Sequence, residues 1–455
     1  MKFEKECRTL PNQRSRFLRY KFGKNISYNT SIVIEISQHP ELEIVNTVVN
    51  KLMDRHELLR TIFCYRNGEV LQRVYNKAKF KSRVKFKDIS GKNKKTRERL
   101  FERFTNYMFD LETEPAFKCI LTKNGKKKYV FSMVLDHIIY DTESIKIIEK
   151  EIFFLYEAQI TGSTKSLKTS KVRFSDFVNH YYQHYQGNQL KYHTEYFKKV
   201  FNNSPLVPHR LKMKDIYLQK PDNIESNKHN RLDRKTAMKS LTSLDMSKDV
   251  VSKNYNGYCF LIPSEISDKV LSISRKMNIP PSIFILASFC FLMKKVNYQN
   301  DLIIDVPISL RNEEMFKELV GWLDSALLVR INIRDLSFDS LILECRDIVY
   351  EAFDHRFYQK YFAHLGILEK HESFTSCQVN IIDDLESHTT LFHPFHYSSE
   401  SIIFDFEFQI NMFKNGFKVS CKYMEELIQK IEVRKVCDEY IYLLEYQTNR
   451  LMPTL

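Results

Sequence analysis

The sequence predicts an α/β protein built as two lobes, and three observations carry that expectation. Strand-like runs alternate with segments whose apolar residues recur at helical spacing, in both halves of the chain. At 455 residues the chain exceeds what one hydrophobic core usually organises, so two domains are expected. A polar stretch near 202–256, rich in Lys, Asn and Ser, then interrupts the apolar pattern. The first lobe is placed at 1–180 and the second at 181–455, the latter including that stretch.

In the first lobe, β-branched residues over 29–37 with polar borders read as a strand. Ile44, Val48 and Leu52 recur every four residues over 41–53, which puts them on one helical face. Phe131, Met133 and Leu135 alternate over 129–137, a strand with His137 at its end. Ile145, Ile148, Ile152 and Tyr156 mark a helix over 143–159. The loop between them is of interest because ligands collect at strand ends in open α/β sheets. The second lobe offers strands over 257–262, 301–307, 376–382, 402–410 and 417–423, and helices over 264–277 and 282–294.

Composition narrows the function classes. With 43% hydrophobic, 13% aromatic and 28% charged residues the chain is an ordinary globular protein. The net charge of +14 invites a nucleic-acid partner, but the basic runs at 92–97 and 123–128 are short and read as solvated turns. No nucleic-acid partner is expected. The 10 glycines form neither a GxGxxG nor a GxxxxGK[ST] loop. The nine cysteines are scattered without metal-site spacing and are expected to be reduced, with no bound metal. The charged N-terminus lacks a signal-peptide core, and no run approaches about 18 apolar residues, so no membrane association and a cytoplasmic location are expected.

One local pattern bears on chemistry. In His137-Ile-Ile-Tyr-Asp141 a His and an Asp lie four residues apart across the strand-end loop. The Asp can pair with a distant Arg and so fix the loop that aims the His. A neutral imidazole of pKa about 6.5 can take a proton from an attacking nucleophile. The spacing alone is common, and Asp141-Thr-Glu-Ser144 would serve equally as a helix N-cap.

Further segments stand beside it in a fixed order. They are Leu10-Pro-Asn-Gln-Arg14, Arg55-His-Glu-Leu-Leu-Arg-Thr-Ile-Phe63, Phe174-Ser-Asp-Phe177, Asp305-Val-Pro-Ile-Ser-Leu-Arg311 and Val320-Gly-Trp-Leu-Asp-Ser-Ala-Leu-Leu-Val-Arg330. With them, the chain resembles the condensation domains of nonribosomal peptide synthetases. That family carries HHxxxDG, aligned here with Asp136-His137-Ile-Ile-Tyr-Asp141-Thr142, and RHExLRTxF, matched at every fixed position by 55–63. The resemblance implies two chloramphenicol-acetyltransferase-like lobes arranged as a V with a central active-site tunnel. It implies His137 as the catalytic residue and Asp141 as a structural carboxylate, paired with Arg311 or alternatively with Arg60. Asp136 and Thr142 replace the family's first His and its Gly, which puts the tautomer of His137 and the loop geometry in question. Trp322, the single tryptophan, is read as packing.

The implied function is that of a free-standing condensation enzyme. It would form an amide between an acyl or aminoacyl thioester and an amine, the donor arriving on the phosphopantetheine arm of a carrier protein, with no bound cofactor. A basic surface suits acidic acyl or peptidyl carrier proteins. The acceptor is a small-molecule amine or a carrier-bound amino acid. Alternatives are an ester-forming or coenzyme-A-dependent acyltransferase, an epimerase of the same fold, and a non-catalytic carrier-docking protein.

Overall fold

The computed structural model describes residues 2–22, 27–36, 39–78, 80–126, 128–164, 166–167, 172–183, 187–201, 255–296, 300–357, 377–383, 406–424 and 428–452. Most of the polar connecting stretch, 202–254, and the first part of the strand expected over 402–410 lie outside them. Among the described residues the chain forms two compact units. The first comprises 2–190 and Ser309–Asp324; the second runs from Lys191 to Ile308 and from Ser325 onward. The sequence-based partition differs in assigning 181–190 and 309–324 to the second lobe; the contacts of Arg311, described below, tie the latter segment to the first unit.

The first unit runs β1 (Phe3–Arg8), α1 (Pro11–Phe22), β2 (Asn29–Ile36), α2 (Leu42–Arg55), β3 (Thr61–Arg66), β4 (Glu69–Tyr75), β5 (Lys85–Asp88), α3 (Lys94–Thr105), β6 (Phe117–Lys123), β7 (Tyr129–Asp136), α4 (Thr142–Thr161) and α5 (Phe174–Gln183), before α6 (Gly187–Phe201). A four-stranded sheet has the order β2-β7-β6-β5, and a three-stranded one β1-β4-β3. β7 lies between β2 and β6, antiparallel to both, and is buried at every residue from Phe131 to Asp136. Its alternating Phe131, Met133 and Leu135 are therefore only half of the pattern: Val134, on the other face, is equally buried. On α2 the buried stripe is Val45, Val48, Val49, Leu52 and Met53, so the expected face holds at Val48 and Leu52, extends to Val45, Val49 and Met53, and leaves Ile44 half-buried at its margin. α4 ends at Gly162, whose φ of 66° is the left-handed cap that a glycine adopts without steric cost.

The second unit runs β8 (Tyr255–Ile262), α7 (Ser264–Lys276), α8 (Pro281–Val296), β9 (Asp301–Ser309), β10 (Asp324–Asn332), α9 (Phe338–Asp354), β11 (Cys377–Asp383), β12 (Phe406–Phe413), β13 (Gly416–Met424) and α10 (Lys430–Leu451). Its six-stranded sheet has the order β10-β9-β11-β12-β13-β8, with β11 parallel to β9 and β12, and β13 antiparallel to both of its neighbours. α8 is apolar almost throughout, and its residues from Ile283 to Cys290 are all buried, as befits a core helix. No single helix among the described residues is long and apolar enough to cross a membrane. All nine cysteines are free thiols.

Aromatic packing fastens the sheet to its helices: the Phe408 ring on β12 lies 5.1 Å from Phe289 on α8 and 5.0 Å from Tyr440 on α10. Replacing a buried Phe by Ala loses its transfer free energy and leaves a cavity. Phe408→Ala is expected to cost about 3–5 kcal/mol, read as a lowered midpoint in denaturant titration with little change in slope.

Candidate active site

The centre of the candidate site is a buried carboxylate. Asp141 is the N-cap of α4, and its Oδ1 accepts from the Ser144 N–H at 2.9 Å. The Arg311 guanidinium grips the same carboxylate with Nη1 at 2.6 Å from Oδ2 and Nη2 at 2.8 Å from Oδ1. The Leu323 N–H donates to Oδ2 at 2.8 Å. Ser144 completes the knot: its Oγ lies 2.7 Å from Asp141 Oδ1 and 2.8 Å from the Gly321 carbonyl oxygen, two acceptors that share its one hydrogen, and it accepts from the Gly321 N–H at 2.9 Å and from Arg311 at 3.0 Å. Arg311 Nε and Nη2 also reach the Leu319 carbonyl, at 3.2 and 2.9 Å. Both charges are withdrawn from water, with side-chain exposures of 5% for Arg311 and 0% for Asp141. Such a pair is tolerable only because its remaining hydrogen-bonding capacity is filled. The segment Ser309–Asp324 thereby fastens to the start of α4.

The ion-pair partner of Asp141 is thus Arg311, and Arg60 is occupied elsewhere. Arg60 Nη1 donates to Glu4 Oε1 at 2.7 Å and to the Tyr75 carbonyl at 2.6 Å, and Nε donates to the Met53 carbonyl at 3.1 Å. It ties β1, β4 and α2 together from a fully buried position. The rest of the 55–63 motif is equally structural. Glu151 on α4 is held by Arg55 Nε at 2.7 Å and by His56 Nε2 at 2.6 Å. Burial alone would raise the Glu151 carboxyl, but the hydrogen bond and charge of His56 and the charge of Arg55 outweigh it and leave its pKa lowered. Glu57 Oε1 accepts from the Ser175 N–H at 2.6 Å, joining this motif to Phe174-Ser-Asp-Phe177.

His137 begins a 3-10 turn, His137–Ile139, one residue beyond the end of β7 rather than within the strand. Its N–H donates to the Tyr28 carbonyl at 2.7 Å. Its Nδ1 lies 2.9 Å from the Tyr140 carbonyl. A carbonyl can only accept, so Nδ1 carries the hydrogen and Nε2 keeps its lone pair. Burial lowers the imidazole pKa below its ordinary 6.5, and the backbone acceptors and the Asp136 and Asp141 carboxylates oppose this without reversing it. The ring is therefore a neutral base at neutral pH.

The two departures from HHxxxDG have plain structural roles. The Asp136 side chain does not meet the imidazole. It binds Arg16 on α1 through Nη2 at 2.5 Å and Nε at 3.2 Å, and accepts from the Ile138 N–H at 3.0 Å, capping the turn. Gln13 Nε2 holds the same turn through the Ile138 carbonyl at 3.0 Å. The Asp136 side chain therefore anchors the His137 backbone, while the Tyr140 carbonyl sets the tautomer. Thr142 is the first residue of α4 and is exposed. Among the described residues, positive φ at a non-glycine occurs only at Asn67 and Asn278, so the turn does not call on glycine's freedom at 142.

Gly321 does need to be glycine, because a Cβ there would collide with the Phe174 ring. Trp322, read as packing from sequence, stacks on the His137 imidazole. Arg16, Gln13 and Ser144 are site residues whose roles sequence reasoning missed, although Gln13 lies within the quoted 10–14 segment and Ser144 within the capping segment Asp141-Thr-Glu-Ser144. Among the described residues no group of three His, Cys, Asp or Glu side chains could hold a metal ion.

These features define an α/β protein with one imidazole presented on a turn that a buried Asp–Arg pair fastens down. The chain belongs to the condensation domain family, whose model matches residues 4–450. It is 23% identical over 447 residues to gramicidin S synthase 2 of Brevibacillus brevis, a match that covers 95% of this chain. The match takes in only 9% of that far longer protein. Among solved structures, the condensation domain from the Monacolin K polyketide synthase MokA is similar at a TM-score of 0.76 and 14% identity, covering 98% of each chain. The epimerization domain from the third module of tyrocidine synthetase B is similar at 0.77 and 12% identity, covering 100% of this chain and 99% of its own. At such identities the likeness is one of fold.

Removing one partner from a buried ion pair strands the other charge. Asp141→Ala is therefore expected to cost about 3–5 kcal/mol and to lower soluble yield, measured by thermal and denaturant unfolding. Gly321→Ala is expected to destabilise as well, and adding Phe174→Leu should recover part of that loss, which a double-mutant cycle reads as coupling between the two positions.

Proposed function

We propose that this chain is a condensation enzyme that joins an acyl or aminoacyl group, delivered as a thioester on the phosphopantetheine arm of an acidic carrier protein, to an amine. The observation that carries the reading is the neutral His137 ring, whose Nδ1 hydrogen is spent on the Tyr140 carbonyl so that Nε2 keeps its lone pair. Membership of the condensation domain family supports the thioester donor and the amide product. The nine free thiols suit a reducing cytoplasmic setting.

In this reading the neutral amine attacks the thioester carbon, forming the C–N bond. Nε2 takes the proton that the nitrogen sheds, and collapse of the tetrahedral intermediate breaks the C–S bond. The proton then passes from the imidazolium to the departing thiolate, so that the carrier leaves as a free thiol and His137 returns to its neutral form. Asp141 and Arg311 take no proton; they hold the turn that presents the ring.

A docking role without turnover would need Asp136 or Thr142 to disable the imidazole, but the Asp136 carboxylate is engaged by Arg16 and Thr142 is an exposed first residue of α4. The test is mass spectrometry of acyl-loaded carriers incubated with an amine panel. Amide product with the native chain and a loss of about two to four orders of magnitude in rate for His137→Ala would support the proposal. Retention of rate within a few fold would remove His137 from the chemistry. Ester product from an alcohol, or donation from coenzyme A in place of the carrier, would favour the other acyl-transfer readings.

The pH profile follows from the lowered pKa. A base must be unprotonated, so activity falls as pH drops through the imidazole pKa. Because burial depresses that pKa, the acid limb of kcat/KM should have its midpoint below 6.5. A midpoint above 6.5 would contradict a buried neutral His137.

A further inference from the structure

The His137 imidazole has aromatic neighbours on two elements. The Trp322 ring centroid lies 4.1 Å away with the planes 21° apart, and the Tyr140 centroid 4.7 Å away at 16°. Two rings so close to a third, and so nearly parallel to it, would overlap if they shared one face. They therefore take opposite faces, and the imidazole is sandwiched.

We propose that Trp322 is a positioning residue: together with Tyr140 it grips the His137 imidazole by both faces, blocking rotation of the ring and keeping Nε2 on one aim. The inference rests on the reading of His137 as the proton acceptor and adds how its plane is held. The hydrogen bond from Nδ1 to the Tyr140 carbonyl fixes one edge of the ring but leaves it free to rock about that bond; the two aromatic faces close off the rocking. Trp322 is itself placed by the buried knot, because its two chain neighbours are pinned there: the Gly321 N–H to Ser144 Oγ at 2.9 Å and the Leu323 N–H to Asp141 Oδ2 at 2.8 Å. The ion pair thus reaches the imidazole through Trp322 as well as through the turn. The same stacking keeps water from the ring faces, in keeping with the lowered pKa of His137. The charged groups around the ring are the Asp136 and Asp141 carboxylates, each tied to a guanidinium, Arg16 and Arg311.

The test uses the full chain and begins without any substrate. Trp322 is the only tryptophan, so indole emission reports this stack alone. An imidazolium against an indole quenches its emission, so acid titration should give a quenching step with its midpoint below 6.5, absent in His137→Gln. Nitrogen NMR of histidine-labelled protein should show His137 as the Nδ1–H tautomer, and Trp322→Leu, which opens one ring face to water, should move the titration up toward 6.5. In the amide-forming assay, Trp322→Leu should lower kcat about ten- to a hundredfold with KM nearly unchanged, and Trp322→Phe, which keeps a flat face, should recover most of it. A flat emission titration, or a Trp322→Leu protein whose His137 titration matches the native chain, overturns the proposal. Unaltered kcat in Trp322→Leu overturns it equally. Should the native chain turn over no donor and amine, the condensation reading falls, while emission and NMR still decide the clamp by themselves. If Trp322→Leu does not fold, the emission titration of the native chain against His137→Gln still decides the clamp, because the quenching step needs the indole against the imidazole.

Discussion

The carboxylate of Asp141 is withdrawn from water and surrounded by donors from three stretches of chain: Ser144 at the start of α4, Arg311 after β9, and the backbone of Leu323. An ion in such a place is tolerated only when nearly every lone pair has a partner, because the desolvation penalty is repaid by close charge-assisted contacts and by little else. The constraint works outward from there. Ser309–Asp324 must lie against the head of α4, Gly321 must pass close beside Phe174, and the turn that begins at His137 must end where Asp141 can cap the helix. A pair of this kind does little for net stability compared with apolar packing of equal volume, but it allows very few arrangements of the segments it joins.

Chemistry follows from that restriction. The turn is held at one end by the Asp141 knot and at the other by Asp136, Arg16 and Gln13, so its carbonyls have fixed positions. The Tyr140 carbonyl takes the Nδ1 hydrogen, and the tautomer with a free Nε2 results from backbone geometry rather than from a carboxylate behind the ring. Burial disfavours the imidazolium and keeps the base neutral. Asp136 can therefore replace a histidine without disturbing this arrangement: it points away from the ring, and its charge is spent on Arg16.

Motifs that look catalytic in the sequence divide in the structure into presenting and bracing parts. The 55–63 segment, the most specific match, contributes no side chain to the imidazole. Its Arg55 and His56 clasp Glu151, its Glu57 caps the start of α5, and its Arg60 joins β1, β4 and α2. Such residues are constrained because a buried polar group with several partners cannot be exchanged without leaving one of them unsatisfied.

The α/β class, the central strand ahead of His137 and the helix that Asp141 caps were legible in the order of residues, since apolar periodicity and capping chemistry act over a few residues and can be read locally, whereas the choice of His137 and Asp141 came from the family resemblance. The sequence was less able to show α3, which buries only Thr105, or β5, whose four residues are all exposed, because neither has an apolar period to read. On α2 the expected face was right at Val48 and Leu52 but too narrow, since the width of the packed stripe is set by neighbours far away in sequence. Only the tertiary structure decided between Arg311 and Arg60, directed Asp136 away from the imidazole, fixed the tautomer, and laid Trp322 on the ring. Each of these depends on contacts between residues a hundred or more positions apart, or on the direction of a single carbonyl, and neither distance nor direction is written in the order of the residues.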